Sequence, residues 1–366
     1  MIARVFIGLL ATAVPLAAQT PVDLNTWSAE SYPAVSGFGA GVWTVAPDGS
    51  SVFQSVNGQP TLFYSDFNAF NTTVEGSITV SGGDDDFIGF ALGYQPGNTS
   101  NPGADYLLVD WKRGTQGFDF GTPSCTPGTT APAGLAVSRV SGIPTADEFW
   151  GHTTFDAVCS DLNNGLEELQ RGFNLGATGW NVNQSYKFTF EFNATSLRVF
   201  VDDVLELDVA GSFNDGRMAF YNFSQAAVTY NAFTLTCPAD WQNYGVGWPG
   251  TLGVPSLTLD ALPVQGTALN MVVGNSLGVG ASACLLYSYT SDAIDIGLDG
   301  TLLVGSPLLA VQAFHPLAPG GQLVPFTVPT DPLLCGTGVY VQLVQQDPGA
   351  SAGMSFSEGL LIVIGE

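Results

Sequence analysis

Positive charge is nearly missing from this 366-residue chain: Lys and Arg number 8 against 32 Asp and Glu, a formal net charge of −24. A polyanion would be repelled over most of such a surface, which excludes nucleic acid as an expected partner. Histidine is almost as sparse, with only His152 and His315, and none of the five cysteines stands in a C-x-x-C pair. Zinc centres and thioredoxin-like redox sites therefore lack material. Charged residues make up 11% of the chain, which has 45 Gly and 22 Pro, a composition rich in turns and poor in residues that favour exposed helices. No segment is long and apolar enough to span a bilayer, so no membrane span is expected.

What is present starts with "MIARVFIGLLATAVPLAAQT": Arg4, an apolar run from Val5 to Leu16 interrupted by Pro15, then the small pair Ala17 and Ala18. Residues 1–18 read as a secretory signal peptide, which places the mature chain outside the cytoplasm, extracellular or in a cell envelope. Export permits disulfides among Cys125, Cys159, Cys237, Cys284 and Cys335. The expected bridges are Cys125 to Cys159 and Cys284 to Cys335, each within one proposed domain, with Cys237 at the junction left over.

Strand patterns dominate. In "YKFTFEFNATSLRVFVDDVLELDV", Phe188, Phe190 and Phe192 alternate with polar residues, the alternation resumes at Leu197, Val199 and Val201, and Asp202-Asp203 falls where a second tight turn belongs. "PGNTSNPGAD" and the Pro/Gly-rich region from Thr115 to Pro144 read as excursions, while "DLNNGLEELQRGF" fits a short helix or an irregular strand. After Cys237 the composition shifts, and from Tyr244 onward there is no Lys or Arg. The expected organisation is all-β: a sandwich over 19–237, a linker at 238–250 and a second, smaller β-sandwich over 251–366.

One stretch raises a chemical question. "VSGGDDDFIGFALGYQ" sets Asp84, Asp85 and Asp86 side by side, with no Lys or Arg beside them in sequence. Three carboxylates on one bend suit calcium, which takes six to eight oxygen ligands, and Asp105 and Asp110 are candidate helpers. A solvated acidic turn that guards a sheet edge is the competing reading. For glycoside hydrolysis the candidate carboxylate sets are Glu206 with Asp208, and Asp292, Asp295 and Asp299, but the first reads as an ordinary solvent face and the second as loops. His152 and His315 have no nucleophile signature nearby. Trp27, Trp43, Trp111, Trp150 and Trp180 read mostly as core, with one sugar platform among them a minor option.

The opening stretch acquires context from "TTVEGSITVSGGDDDFIGFALGYQ" followed by "YLLVDWKRG", Gly179-Trp180 followed by "SYKFTFEF", "GRMAFYNFSQ", and "AFTLTC" ending at Cys237. In that order, these resemble the C-terminal domain of thrombospondins over about 25–237. The resemblance implies a concanavalin/L-type lectin-like jelly-roll sandwich and a calcium-binding, non-catalytic adhesion module, with Asp84, Asp85 and Asp86 on its acidic loop. The family's upstream Asp-rich repeats and any Arg-Gly-Asp motif are missing, so animal-type receptor binding does not carry over. The tail is similar to C-terminal modules of secreted bacterial proteins. The functional expectation is a secreted calcium-binding protein recognising a glycan or surface component. A structural cell-envelope protein is the alternative, and a polysaccharide hydrolase on the same sandwich a more distant one.

Overall fold

The computed structural model describes residues 19–366 apart from 36, 126, 160–163 and 332–333. The expected signal peptide lies outside the described residues. Two antiparallel sheets pack face to face in the first sandwich. One runs in the order Val204–Ala210, Ser196–Val201, Ser185–Phe192, Thr72–Val80, Val228–Thr236, Ser51–Gln54, Trp43–Val45, with Thr20–Pro21 added beside Val228–Thr236. The other runs Gly165–Arg171, Gly134–Ser141, Asp105–Lys112, Phe87–Tyr94, Arg217–Phe223, Thr61–Asn68, Ser28–Ser31. Their inner faces share one core, in which Phe188, Phe190, Val199 and Tyr230 of the first sheet meet Ile88, Phe90, Val109, Trp111 and Phe220 of the second.

The outer faces differ. Thr72–Val80 and Ser185–Phe192 alternate buried and half-buried residues, the signature of a sheet with one wet face. Phe87–Tyr94 is buried at every position, because Phe120, Ala131, Phe149 and Trp150 lie over the outer face of that sheet and add a second apolar layer. A short helix, Ala146–Gly151, anchors this cover, and Phe149 and Trp150 pack on Phe87 and Tyr221. Its start is fixed by a capping box: Thr145 and Glu148 satisfy each other's backbone N–H groups. Cys125 and Cys159, bridged at a Cα separation of 5.8 Å, staple the cover.

The supposed excursion from Thr115 to Pro144 contains the fully paired strand Gly134–Ser141, which was hidden because it is buried and does not alternate. Gly165–Arg171 is an irregular strand, with a register shift opposite Val137 and Ser138. Asp202 and Asp203 make the expected tight turn, both with positive φ (49° and 66°), as a two-residue hairpin connection requires.

The tail is a second sandwich. One sheet runs Asp240–Tyr244, Gly359–Val363, Gly338–Gln346, Ala281–Ser288, Ala310–Leu317, and Leu257–Leu259, Ala268–Val273 and Gln322–Thr327 form the facing three-stranded sheet. Leu285, Leu343, Leu360, Met271 and Val273 fill the space between them. Two expectations need correction. The segment 238–250 is not a free linker, since Asp240–Tyr244 pairs along its length with Gly359–Val363. The second bridge joins Cys237 to Cys335 (Cα separation 5.5 Å), leaving Cys284 free. Cys284 lies mid-strand between Ala313 and Val344, whereas Cys335 sits in the turn before Gly338, where Gly336 meets Asn71 of the first sandwich. The bridge therefore ties one domain to the other.

Candidate functional site

Asp84, Asp85 and Asp86 occupy the bend that leads into Phe87–Tyr94, and one carboxylate oxygen from each lies within 4.8 Å of the others. Gly82 and Gly83 bend the chain without a positive φ, which releases the three residues from strand alternation. Backbone anchors hold the loop from several sides. Trp180 donates its indole N–H to the Asp86 carbonyl (3.1 Å), and Asp86 donates its own N–H to Gln225 Oε1 (3.1 Å). The Asp85 carbonyl accepts from the Arg113 and Gly114 amides and from Lys112 Nζ. Gly179 lets the Trp180 segment pass against Arg113, where a Cβ would collide with the Arg113 carbonyl. The acidic loop, the Trp111-Lys112 pair, Gly179-Trp180 and Gln225 are thus parts of one corner.

The carboxylates do have a cation. Phe87 pairs with Lys112 across the sheet, which brings Lys112 Nζ 2.6 Å from Asp86 Oδ1 and 4.0 Å from Asp85 Oδ1. Lys112 is fully buried, its ammonium 4.4 Å from the Trp150 ring centroid and 5.4 Å from that of Phe87. Burial pushes the Asp86 carboxyl above its ordinary pKa, with Lys112 opposing. Asp84 accepts from Asn57 Nδ2 and from the Asp85 amide. Asp85 keeps its carboxylate half exposed.

Neither proposed helper joins this loop. Asp105 sits at the far end of its strand, about 23 Å along from Lys112, held by the Arg139 guanidinium through two contacts of 2.6 Å. Asp110 faces outward under the cover and contacts His152 Nε2 (2.9 Å), whose Nδ1 meets Glu168 Oε2 (3.2 Å). Burial lowers the affinity of His152 for a proton, but the two carboxylates outweigh it and push its pKa up to about 9. The sequence showed no pairing for this histidine because both carboxylates come from distant strands.

The hydrolase candidates also separate. A register shift opposite Val199 and Phe200 turns Glu206 inward beside Leu207 while Asp208 stays exposed. Glu206 then accepts the backbone N–H groups of Asn174 (2.8 Å) and Leu175 (3.0 Å) and the Asn174 carboxamide (3.1 Å). It organises a loop. Asp292 and Asp295 accept backbone N–H groups in an exposed hairpin, and Asp299 accepts from Ser351.

That loop borders a feature the sequence did not reveal. A groove of about 520 Å³ opens between the sheets, with Trp111 and Tyr186 behind it and Asn174, Asn181, Gln184 and Asp202 around it. Asn181 directly follows Trp180, so one short segment joins the groove to the acidic loop. None of the five tryptophans is an exposed platform: Trp27, Trp111, Trp150 and Trp180 are buried and Trp43 stacks on Phe63.

A lectin-like jelly-roll sandwich with an acidic loop at one corner is the class these elements define. The model of the thrombospondin C-terminal region matches residues 39–239, and the chain belongs to that family. No curated protein matches it. Among solved structures, the carbohydrate binding module CBM66 from Bacillus subtilis is 12% identical, covering 60% of this chain and 98% of that one at a TM-score of 0.37. LamAcat from Zobellia galactanivorans is 11% identical (60% and 93% covered, TM-score 0.34), and chicken galectin 2 is 11% identical (46% and 92%, TM-score 0.26).

Proposed function

We propose that this is a secreted, non-catalytic recognition protein that binds a neutral or cationic glycan in the groove at Asn174, Asn181, Gln184 and Asp202, with calcium at the adjacent acidic loop. The observation that carries the reading is the ring of carboxamides and a carboxylate over aromatic side chains, joined by Trp180 to the loop. Planar amides and carboxylates pair with vicinal hydroxyls, and the net charge of −24 disfavours an anionic polysaccharide. The non-catalytic part is supported by Glu206, whose carboxylate is occupied by three N–H donors.

The loop fits calcium as a weak, largely hydrated site. Asp84, Asp85 and Asp86 Oδ2 would hold the ion, while Asp86 Oδ1 remains with Lys112, so protein oxygens fall short of a full shell. Bound calcium would relieve the repulsion among the three carboxylates. A dissociation constant of about 10⁻⁴ to 10⁻³ M is expected, the range of extracellular modules. Glycan-array binding of the mature chain, repeated in chelator and with Gln184→Ala and Asp202→Ala, tests the proposal. Binding weakened by each change supports it, and no binding to any neutral or cationic glycan rejects it.

A further inference from the structure

A cleft of about 760 Å³ lies where the two sandwiches meet. The first sandwich lines it with the turn after Thr61–Asn68, the turn at Ala194 and the loop 213–215, and the tail with residues 289–291 and 334–340. The groove at Asn174 and Asp202 is at the other end of the strand Ser196–Val201, about 20 Å away.

The walls of the cleft are fixed to each other. Asn71 donates its carboxamide N–H to the Gly336 carbonyl (3.2 Å), and next to that contact Cys335 is bridged to Cys237. Gly336, at a φ of 71°, passes so close that a Cβ would stand 2.5 Å from the Phe70 carbonyl. Asn68 ties two loops of the first sandwich, donating to Asp215 Oδ2 (3.1 Å) and accepting from the Phe70 (2.9 Å) and Gly216 (3.2 Å) amides. The cleft is therefore preformed, and little ordering remains to oppose a ligand.

Its lining combines aromatic rings with unpaired oxygens. Phe70 and Phe213 both pack on Phe192, with centroids 5.5 and 6.3 Å away. Tyr289 is 55% exposed and has no ring partner among the described residues, which leaves its face free at the mouth. Asn71 and Asn214 spend N–H groups on Gly336 and Asp105, and Asp215 Oδ2 is taken by Asn68. Asn71 Oδ1, Asn214 Oδ1 and Asp215 Oδ1 remain as acceptors without a partner among the described residues, as do the hydroxyls of Tyr289, Ser291, Thr337 and Tyr340. No Lys or Arg lines the cleft.

We propose that this cleft is a second ligand site, which takes a neutral oligosaccharide with a sugar ring stacked on Tyr289. The three acceptors call for a ligand that donates several hydrogen bonds, and the four hydroxyls suit one that also accepts. Sugar hydroxyls do both, and the C–H face of a pyranose matches an exposed phenol ring. An ammonium ligand only donates, and an anion would meet Asp215 with no cation to balance it. The site needs neither calcium nor the groove at Asn174.

The test is isothermal titration of the full mature chain with neutral gluco-, manno-, galacto- and xylo-oligosaccharides. It is run in a Gln184→Ala/Asp202→Ala background, which removes polar groups of the other groove. Saturable binding of at least one sugar is expected, weakened about tenfold or more by adding Tyr289→Ala and less than about threefold by Tyr289→Phe. Tyr289 is exposed, so neither change should move the melting temperature. Amide exchange at 289–291 and 336–338 should slow when the sugar is bound. No binding in this background overturns the proposal even if the unmodified chain binds glycan, and so does binding that Tyr289→Ala leaves unchanged.

Discussion

The two sandwiches of this chain are built from similar strands but use charge in opposite ways. All the Lys and Arg of the described residues lie in the first, where they fix corners and edges: Lys112 on Asp86, Arg139 on Asp105, Arg171 on Glu168. The tail satisfies its carboxylates with neutral donors, as where Asp347 accepts from Thr251, Ser276 and Gly349. Charge pairs let the first sandwich hold an acidic loop open at its surface. The tail also has a long stretch, between Thr301 and Thr330, with no Asp, Glu, Lys or Arg at all.

The largest expected effect breaks the comparison at Lys112. Lys112→Ala leaves Asp86 buried without its cation and should destabilise the chain by about 4 kcal/mol, read by urea denaturation, whereas Lys112→Met combined with Asp86→Asn should recover much of that loss. A double variant as unstable as the single one would mean that packing, not charge, fixes the corner.

His152 sharpens the comparison through pH. Its folded-state pKa of about 9 exceeds the ordinary 6.5, so its contribution is complete below about 6.5 and lost as pH rises toward 9. Between those values stability should fall by up to about 3 kcal/mol, and His152→Gln should flatten the profile. A wild-type stability that is level over this window contradicts the pairing with Asp110 and Glu168.

Local pattern was legible in the sequence, as was the Cys125 to Cys159 bridge, but the pairing of distant strands was not. Phe188, Phe190 and Phe192 declared a half-buried strand by alternation, and Asp202-Asp203 marked its turn. The family resemblance singled out the acidic loop and the "YLLVDWKRG" strand, yet not the contact between them, since Lys112 is 26 residues from Asp86 in the chain and adjacent only through strand register. Gly134–Ser141 was missed because a strand buried on both faces has no period to read, although the Thr145 to Glu148 capping box could have revealed the helix that covers it. Glu206 was misplaced because one bulge reverses the facing that alternation assigns. The Cys237 to Cys335 bridge was misassigned because each domain was taken to close its own disulfides.

The central claim is that the acidic loop is a cation site and more than a guarded turn. Isothermal titration of the mature chain with calcium, beside Asp85→Asn, tests it most directly. The account predicts saturable heat with a dissociation constant of about 10⁻⁴ to 10⁻³ M that disappears in the variant, whereas no heat, or heat unchanged by Asp85→Asn, would contradict it.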